Sequence, residues 1–317
     1  MSSTELQHYV PRFYLKRFAD TDGHVWVLDK TTLRVFSAGP GILAGVRDFY
    51  RASDPRRLVT DPRHLENQLS VVEGEAARII TAWLQRSESG KALDISHSDR
   101  ESMSLFLALQ MLRTAETRAQ LVQFDNAIKN ISPLSSNQHS RAKAAQLHAD
   151  LLWDDELITA LSAAVKGFIW ILARNTSGRR LYTSDHPVHC KTPDSKQWIL
   201  GPRLFDRGVY FVFPLSPSIL LYCKEPDYWR KLGKFDGSVS PVELTDHMVD
   251  HANSGQVGMS TRFVFADRPD FEFAKMFCEL HPEIRDPARE RYYWSAENPN
   301  GGQSGRREDY PPASHTT

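Results

Sequence analysis

Two kinds of hydrophobic spacing divide this chain, and their order limits the folds that it can adopt. Through most of the first half, apolar residues such as Leu69, Val72 and Ala76 recur every three or four positions, which is typical of amphipathic helices. Strand-like runs such as GVYFVFPLSPSILLYC cluster after residue 167. Because helices and strands do not alternate regularly, the pattern favours an α+β fold over a doubly wound sheet. We predict a helical core from the N-terminal half packed against a mainly antiparallel sheet from the C-terminal half.

Local signals predict where individual elements begin and turn. HVWVLDKTTLRVFSAG and GVYFVFPLSPSILLYC each place two apolar runs around a turn, as a β-hairpin does, and FIWILARNTSGRRLYTSDHPV has the same order. The run TRFVFA predicts a further strand. Pro11 suits a first helical position. We expect helices over about 11–19, 65–86, 125–152 and 154–167, with two more beginning at the capping residues Ser98 and Ser240.

The chain length favours one large domain over several. With 317 residues, of which 41% are hydrophobic, the chain can bury a substantial core. We predict a single α+β domain over 1–298, with a hairpin and helices to about 167 and a sheet-rich part over 168–298. Residues 299–317 are rich in Gly, Pro and Ser and predict a disordered tail.

Charge and cysteine content indicate the binding partners and the cellular compartment to expect. Lys and Arg number 39, as do Asp and Glu, so no overall field favours nucleic acid or an anionic membrane. The three cysteines form no C-x-x-C pair, which favours reduced thiols. Charged residues interrupt the first thirty positions and no window is long and apolar enough to span a bilayer. We therefore expect a soluble cytoplasmic protein without a membrane partner.

The segment QHYVPRFYLKRF places a histidine and three other basic residues near the N-terminus. His8 could act as an acid or base near neutral pH, and Arg12, one helical turn on, could bind an anionic group. Alternatively, His8 fills a polar gap while Arg12 and Lys16 face solvent. The aromatic residues of this segment would dock it onto the helical core.

A second polar group interrupts the apolar third helix. Gln110 and Arg113 are one turn apart and so share a face, where both would need partners if buried. Glu66 and Glu73, seven residues apart on the preceding helix, could supply carboxylates. These four residues would then either line a cleft or form one structural network.

A third group, Ser184-Asp185-His186-Pro187, follows a predicted strand. Such a turn can present a nucleophile or a ligand from a rigid sheet, although the same residues are common in ordinary turns. His186, His189 and Cys190 match no familiar zinc spacing, so we predict no metal there. His247 and His251 lie at i and i+4 on a predicted helix, and we interpret them as a solvated face.

Six stretches in fixed order carry a family resemblance: HYVPRFYLKRF, LENQLSVVEGEAA, FLALQMLRT, LYTSDHPV, VFPLSP and NSGQVGMSTRFVFA. From about His8 to Ala266 the chain resembles the domain of unknown function 4238 family. The family pattern maps onto His8, Pro11, Tyr14, Leu15, Phe18, Glu66, Glu73, Gln110, Arg113, Ser184, Asp185, Pro187 and Asn253. His186 stands where the family usually has asparagine. The resemblance implies no established activity, but it implies that these polar residues form a site.

The first functional hypothesis is a hydrolase that acts on a phosphate-bearing substrate, for example a nuclease. His8 would be the general acid or base and Arg113 would stabilise developing negative charge. Asp185, assisted by Glu66 or Glu73, would act as a second base or hold a divalent metal such as magnesium. Arg12, Gln110, Ser184 and Asn253 would bind the substrate, a phosphate compound or a nucleic acid.

Two other hypotheses use the same residues differently. In one, the protein is a non-catalytic binding protein that holds a ligand or peptide, as a sensor or a component of a larger system. In the other, Glu66, Glu73, Gln110 and Arg113 form a buried network with no chemical role.

Overall fold

The fold is known from a computed structural model of the chain. It describes residues 6–50, 64–89, 93, 95–131, 141–193, 197–199, 204–293, 303–304 and 307–308. Most of the predicted tail lies outside the described residues. Within the tail, residues 303–304 and 307–308 are short paired strands, where the sequence predicted disorder.

Helices fill the first half of the described chain, with two more near its end. They are α1 (Arg12–Leu15), α2 (His64–Glu88), α3 (His97–Leu112), α4 (Ala115–Ile131), α5 (Arg141–Leu152), α6 (Asp155–Gly167), α7 (Asp246–Met259) and α8 (Glu272–Leu280). Short 3₁₀ turns extend α1 over Lys16–Phe18 and cover Arg230–Phe235 and Pro282–Arg285.

Strands concentrate in the second half. They are β1 (Leu6–His8), β2 (Val25–Asp29), β3 (Arg34–Ala38), β4 (Gly45–Arg47), β5 (Ile169–Arg174), β6 (Thr183–Ser184), β7 (His189–Lys191), β8 (Gln197–Ile199), β9 (Tyr210–Ser216), β10 (Ile219–Lys224), β11 (Ser238–Val239), β12 (Phe263–Ala266), β13 (Tyr292–Tyr293), β14 (Gln303–Ser304) and β15 (Arg307–Glu308).

The strands form two main sheets. The larger has the order β11-β5-β10-β9-β7-β8-β15 and the smaller β3-β2-β12-β6. All described pairings in them are antiparallel except that of β11 with β5. The α+β class predicted from the sequence is therefore confirmed, with one difference: the N-terminal hairpin β2–β3 belongs to the smaller sheet together with β12 from the C-terminal half.

The structure corrects two predicted helix starts. α3 begins two residues earlier than predicted, because the Ser96 hydroxyl, and not Ser98, accepts a hydrogen bond from the Asp99 amide at 3.0 Å. α7 begins at Asp246, after Thr245, whose hydroxyl accepts from the Met248 amide at 3.3 Å. Ser240 instead closes a tight turn with Val242, which a Ser-Pro pair also favours.

Two predicted hairpins form and the third does not. β2 pairs with β3, and β9 pairs with β10. The prediction of a hairpin between residues 168 and 188 is wrong, because β5 pairs with β10 and β11 while β6 pairs with β12 in the other sheet. The chain leaves the larger sheet at Asn175, whose side-chain amide binds the carbonyls of Arg179 and Pro217.

The main core lies between α3 and one face of the larger sheet. α3 is buried nearly all round and packs on α2 and α6. Aromatic rings bridge the helices and the sheet: Trp83 lies against Trp170, and Phe106 against Phe213. Since residues alternate across a strand, β5, β9 and β10 turn Trp170 and Phe213 to this core and turn Ile171 and Tyr210 to the opposite face. That opposite face is covered by α7 and carries the cavity described below.

None of the helices in the described part of the chain is long and apolar enough to cross a membrane.

Candidate functional site

The N-terminal segment is tied to α3 through its backbone. The side-chain amide of Gln110 donates to the Tyr9 carbonyl at 3.0 Å, and Arg113 Nε donates to the same oxygen at 3.1 Å. The Tyr50 hydroxyl donates to the His8 carbonyl at 3.3 Å. Tyr14 and Phe18 are fully buried beyond this point. The segment that opens the described chain therefore docks on the core, with its main chain held by buried polar side chains.

Arg113 is itself sealed from solvent. Only 1% of the residue is exposed, and its Nη2 donates to Glu73 Oε1 at 2.8 Å. Glu73 is partly exposed, so the pair lies at the edge of the core. Glu66 lies two turns earlier on the same helix and is half-buried. The Arg113 guanidinium therefore binds a carboxylate and a carbonyl. These bonds hold α2, α3 and the N-terminal segment together.

Asp185 accepts three backbone hydrogen bonds. Its carboxylate oxygens lie 2.8 Å from each of the amide nitrogens of Thr261, Arg262 and Phe263, at the start of β12. The residue is 1% exposed. Burial raises the pKa of the Asp185 carboxyl, and the three amides and the nearby Lys30 ammonium oppose that rise. The carboxylate therefore fixes the path of the chain into β12.

Ser184 and Asn253 serve the same turn from neighbouring elements. Ser184 Oγ donates to Gln256 Oε1 at 2.8 Å and accepts from the His186 amide at 3.2 Å. The Asn253 side chain accepts from the Tyr182 amide at 2.8 Å and donates to the Arg180 carbonyl at 2.9 Å. Both residues are buried, so α7 is joined to residues 180–187 by side-chain to main-chain bonds.

The polar residues of α3 and those of the turn at Ser184 and Asp185 meet at the C-terminal end of α3. His186 Nδ1 lies 2.7 Å from the hydroxyl of Thr114, the residue after Arg113. Burial lowers the pKa of His186 to about 4, so its imidazole is neutral near pH 7. The structure thus brings Gln110, Arg113, Ser184, Asp185 and Asn253 into one continuous region, but it buries them in bonds to the main chain.

His8 and Arg12 remain closest to solvent. His8 Nε2 donates to the Gly41 carbonyl at 3.0 Å, and burial lowers the pKa of this half-buried imidazole. Arg12 is exposed and its guanidinium lies beside the same glycine, so close that a Cβ there would meet Nη2 at 3.3 Å. Both side chains therefore pack on the loop between β3 and β4.

A buried carboxylate that the sequence did not single out completes this region. Glu116 has no exposed surface. Its carboxylate accepts two hydrogen bonds from Arg291, at 2.7 and 2.9 Å, and one from Arg289 Nη2 at 3.1 Å. Although burial acts to raise its pKa, the two guanidinium groups lower it. Thr261 also donates to it at 3.0 Å. This cluster anchors residues 289–291 against α4.

On the opposite face of the larger sheet lies a cavity of about 460 Å³. The sheet contributes one face of β5, β9 and β10, and α7 with the 3₁₀ turn of residues 230–235 closes the other side. The residues that line it are mainly apolar or aromatic: Ile171, Ala173, Tyr210, Tyr222, Lys224, Leu232, Phe235, Ser240, Pro241, Val242, His247, Met248 and His251. Its size and its few polar groups are those of a small-molecule site.

Lys224 is enclosed by aromatic rings at one wall of this cavity. Its Nζ lies 3.8 Å from the ring centre of Tyr210, 4.0 Å from that of Trp229 and 5.4 Å from that of Tyr222. Tyr210 is its direct partner across the β9–β10 pair. Burial lowers the pKa of Lys224 to about 8, while the ring faces attract the ammonium.

The histidine pair of α7 borders the same cavity. His247 is exposed and His251 is half-buried, and His251 Nε2 contacts the ammonium of Lys191, which has no exposed surface. The sequence predicted a solvated helix face for these two histidines; the structure places both on the cavity wall. Among the described residues, no three His, Cys, Asp or Glu side chains are placed to hold a metal ion.

Sequence reasoning missed the cavity because its residues come from separate elements. Tyr210, Tyr222 and Lys224 alternate along β9 and β10 and look like the polar face of a hairpin. The i, i+4 spacing of His247 and His251 was the signal available, but it does not reveal which surface the helix faces.

Comparison with known proteins gives one match. The family described as "Protein of unknown function (DUF4238)" matches residues 6–270. No curated protein and no solved structure matches the chain.

Proposed function

The chain belongs to the DUF4238 family, whose description names no activity, and we propose that it is a non-catalytic ligand-binding protein. It takes a small, largely apolar molecule into the cavity between the larger sheet and α7. The observation that carries this proposal is the cavity of about 460 Å³ and its lining. Pockets of this volume that combine apolar walls with a few polar groups are typical ligand sites.

The walls of the cavity indicate a ligand site and not a packing defect. Ile171 and Ala173 of the inner strand β5 line one side of the cavity, and Met248 of α7 and Phe235 of the 3₁₀ turn also line it. Strand β5 is rigid because it is paired on both sides, with β10 and β11. A ligand that covers these apolar groups would gain roughly 25 cal/mol for each Å² of surface removed from water.

The hydrolase and nuclease hypothesis stays a prediction. Its Arg113 and Asp185 are each 1% exposed, and both hold main-chain or carboxylate partners. A general base must reach the proton that it abstracts, directly or through one water. The cavity, in contrast, offers open space next to ionisable groups, which is why we prefer ligand binding.

Cavity-filling variants test the proposal. The neutral dye N-phenyl-1-naphthylamine should bind the wild-type protein saturably, and Ala173→Phe and Met248→Trp should each weaken that binding by about tenfold or more. Ala160→Phe, on the exposed surface of α6, is the matched control and should bind as the wild type does. Circular dichroism and the melting temperature show that each variant is folded. Equal dye binding by all four proteins would refute the cavity as the site.

We also assign the protein to the cytoplasm as part of this proposal. Cys190, Cys223 and Cys278 are buried and not disulfide bonded, which suits a reducing compartment. A fluorescent fusion imaged in intact cells tests this, and a signal at the envelope or in the medium would contradict it.

A further inference from the structure

The described lining of the cavity contains basic side chains and no carboxylate. Among the described lining residues, Lys224, His247 and His251 are basic and none is Asp or Glu. Lys191, behind His251, adds a buried ammonium. The lining therefore offers an anion a basic partner and offers a cation no carboxylate.

Lys224 carries this charge without a carboxylate partner among the described residues. The rings of Tyr210 and Trp229 surround its ammonium at 3.8 and 4.0 Å, but they are neutral. Cation–π contacts contribute about 0.5–2 kcal/mol each, which is less than the several kcal/mol that burying an ion costs. Burial accordingly lowers the pKa of Lys224. An anion placed beside it would supply the missing compensation.

The remaining walls determine what else the ligand carries. Ile171, Leu232, Phe235 and Met248 present hydrocarbon or aromatic surface, which favours an apolar body. No arginine is among the described lining residues, and a single lysine beside two histidines balances one negative charge better than two. The bidentate guanidinium contacts that phosphate groups often receive are therefore missing from the described walls.

We propose that the ligand of this cavity is an amphipathic monocarboxylic acid. Its carboxylate lies at Lys224, and its apolar body lies against Ile171, Leu232, Phe235 and Met248. This inference rests on the proposed function, since it names the ligand class of the same cavity. Tyr210 and Trp229 act as positioning residues that hold the ammonium at the wall, so that the carboxylate meets a charge already in place.

Three ten-carbon probes that differ only in their head group test the inference: decanoate, decanol and decylamine. Each is titrated against dye-loaded protein, below its aggregation concentration, at pH 7. We expect decanoate to displace the dye at a concentration at least about tenfold lower than decanol, and decylamine to be the weakest.

Lysine variants test whether Lys224 causes the preference for decanoate over decanol. Lys224→Met keeps the length of the side chain and removes the charge, so decanoate should lose about tenfold or more in affinity while decanol is unchanged. Lys224→Arg should keep the preference for the acid. Lys231→Met, an exposed lysine of the neighbouring 3₁₀ turn, is the control and should match the wild type. If Lys224→Met does not fold, the wild-type preference and its retention in Lys224→Arg still test the proposal.

The outcomes separate the two proposals. If the wild type binds decanoate and decanol equally, or if folded Lys224→Met keeps the preference, the carboxylate inference is wrong while ligand binding stands. If the dye and all three probes fail to bind the wild type, the proposed function itself is wrong.

Discussion

Arg113 of α3 and Glu73 of α2 form an ion pair of 2.8 Å directly beneath the N-terminal segment. The same guanidinium donates to the Tyr9 carbonyl at 3.1 Å. One buried side chain therefore joins two helices and the beginning of the described chain. Such a group stabilises the fold through bonds that neither hydrophobic spacing nor helix propensity predicts.

Replacing Arg113 with alanine should destabilise the protein by about 3–5 kcal/mol, because Glu73 and the Tyr9 carbonyl lose their donor. Chemical denaturation measures the change in the free energy of unfolding. Arg78→Ala removes an exposed arginine that pairs with Glu75 of α2 and Asp99 of α3. It is the control and should change the melting temperature little, because exposed ion pairs contribute little to stability. An Arg113→Ala protein as stable as this control would mean that the guanidinium is not needed for the fold.

Asp185→Asn should cost roughly 2–3 kcal/mol, because an amide offers one acceptor oxygen where the carboxylate serves three backbone N–H groups. Hydrogen exchange should accelerate at residues 261–263 before it does so in α3. Asp20→Asn is a suitable comparison, since Asp20, which is only partly buried, also accepts backbone bonds from Asp22 and His24. If both variants behave alike, Asp185 does not anchor β12.

Glu116→Gln should destabilise by about 3–5 kcal/mol, because it leaves Arg289 and Arg291 charged in a buried site. Limited proteolysis should then cut near residues 286–293 faster than in the wild type. Glu101→Gln removes an exposed carboxylate bound to Lys166 and should not change the cleavage pattern. Unchanged cleavage in Glu116→Gln would contradict the anchoring role.

His148 should make stability depend on pH. Its Nε2–H donates to the Leu112 carbonyl at 2.7 Å and its Nδ1 accepts from Arg118 Nε at 3.2 Å. Burial, with the charge of Arg118, lowers the pKa of His148 to about 3 from its ordinary value of 6.5. The unfolded chain therefore binds a proton between these pH values that the folded chain does not, so stability falls as the pH is lowered below 6.5.

Between pH 6 and 4 the expected contribution of His148 approaches 1.4 kcal/mol per pH unit. His148→Gln should remove that contribution from the slope of unfolding free energy against pH, and His97→Gln, at an exposed position, should not. Burial also lowers the pKa of His186, to about 4, so His186 likewise makes stability fall as the pH is lowered. His186 is present in both variants. A His148→Gln slope identical to the wild type would disprove the neutral, doubly bonded imidazole.

Much of the architecture could be predicted because it depends on spacing along the chain. The hairpins β2–β3 and β9–β10 and the long helix α2 follow from alternation or from a three-to-four-residue repeat. The false hairpin over 168–188 shows where this reasoning fails: two strands close in sequence pair with partners far away in sequence, and the pairing depends on which sheet edge is available.

The polar residues show the same division. Spacing predicted that Gln110 and Arg113 face the same way and that Glu73 could supply a carboxylate, and Arg113 does pair with Glu73. It could not show that both side chains would also bind the Tyr9 carbonyl. Likewise, the alternation of Tyr222 and Lys224 was visible, whereas the approach of Trp229 and α7 to them was not.

The α+β class and the family follow from the amino-acid sequence alone, because both are encoded in local periodicity and in the order of short motifs. The folded arrangement of the chain decides which polar residues hold the main chain and which line open space. That decision depends on burial and on contacts between distant segments, such as Asp185 with residues 261–263 and Lys224 with Trp229. A carboxylate or an ammonium has the same chemistry in any sequence, but its role follows from the partners that folding brings to it.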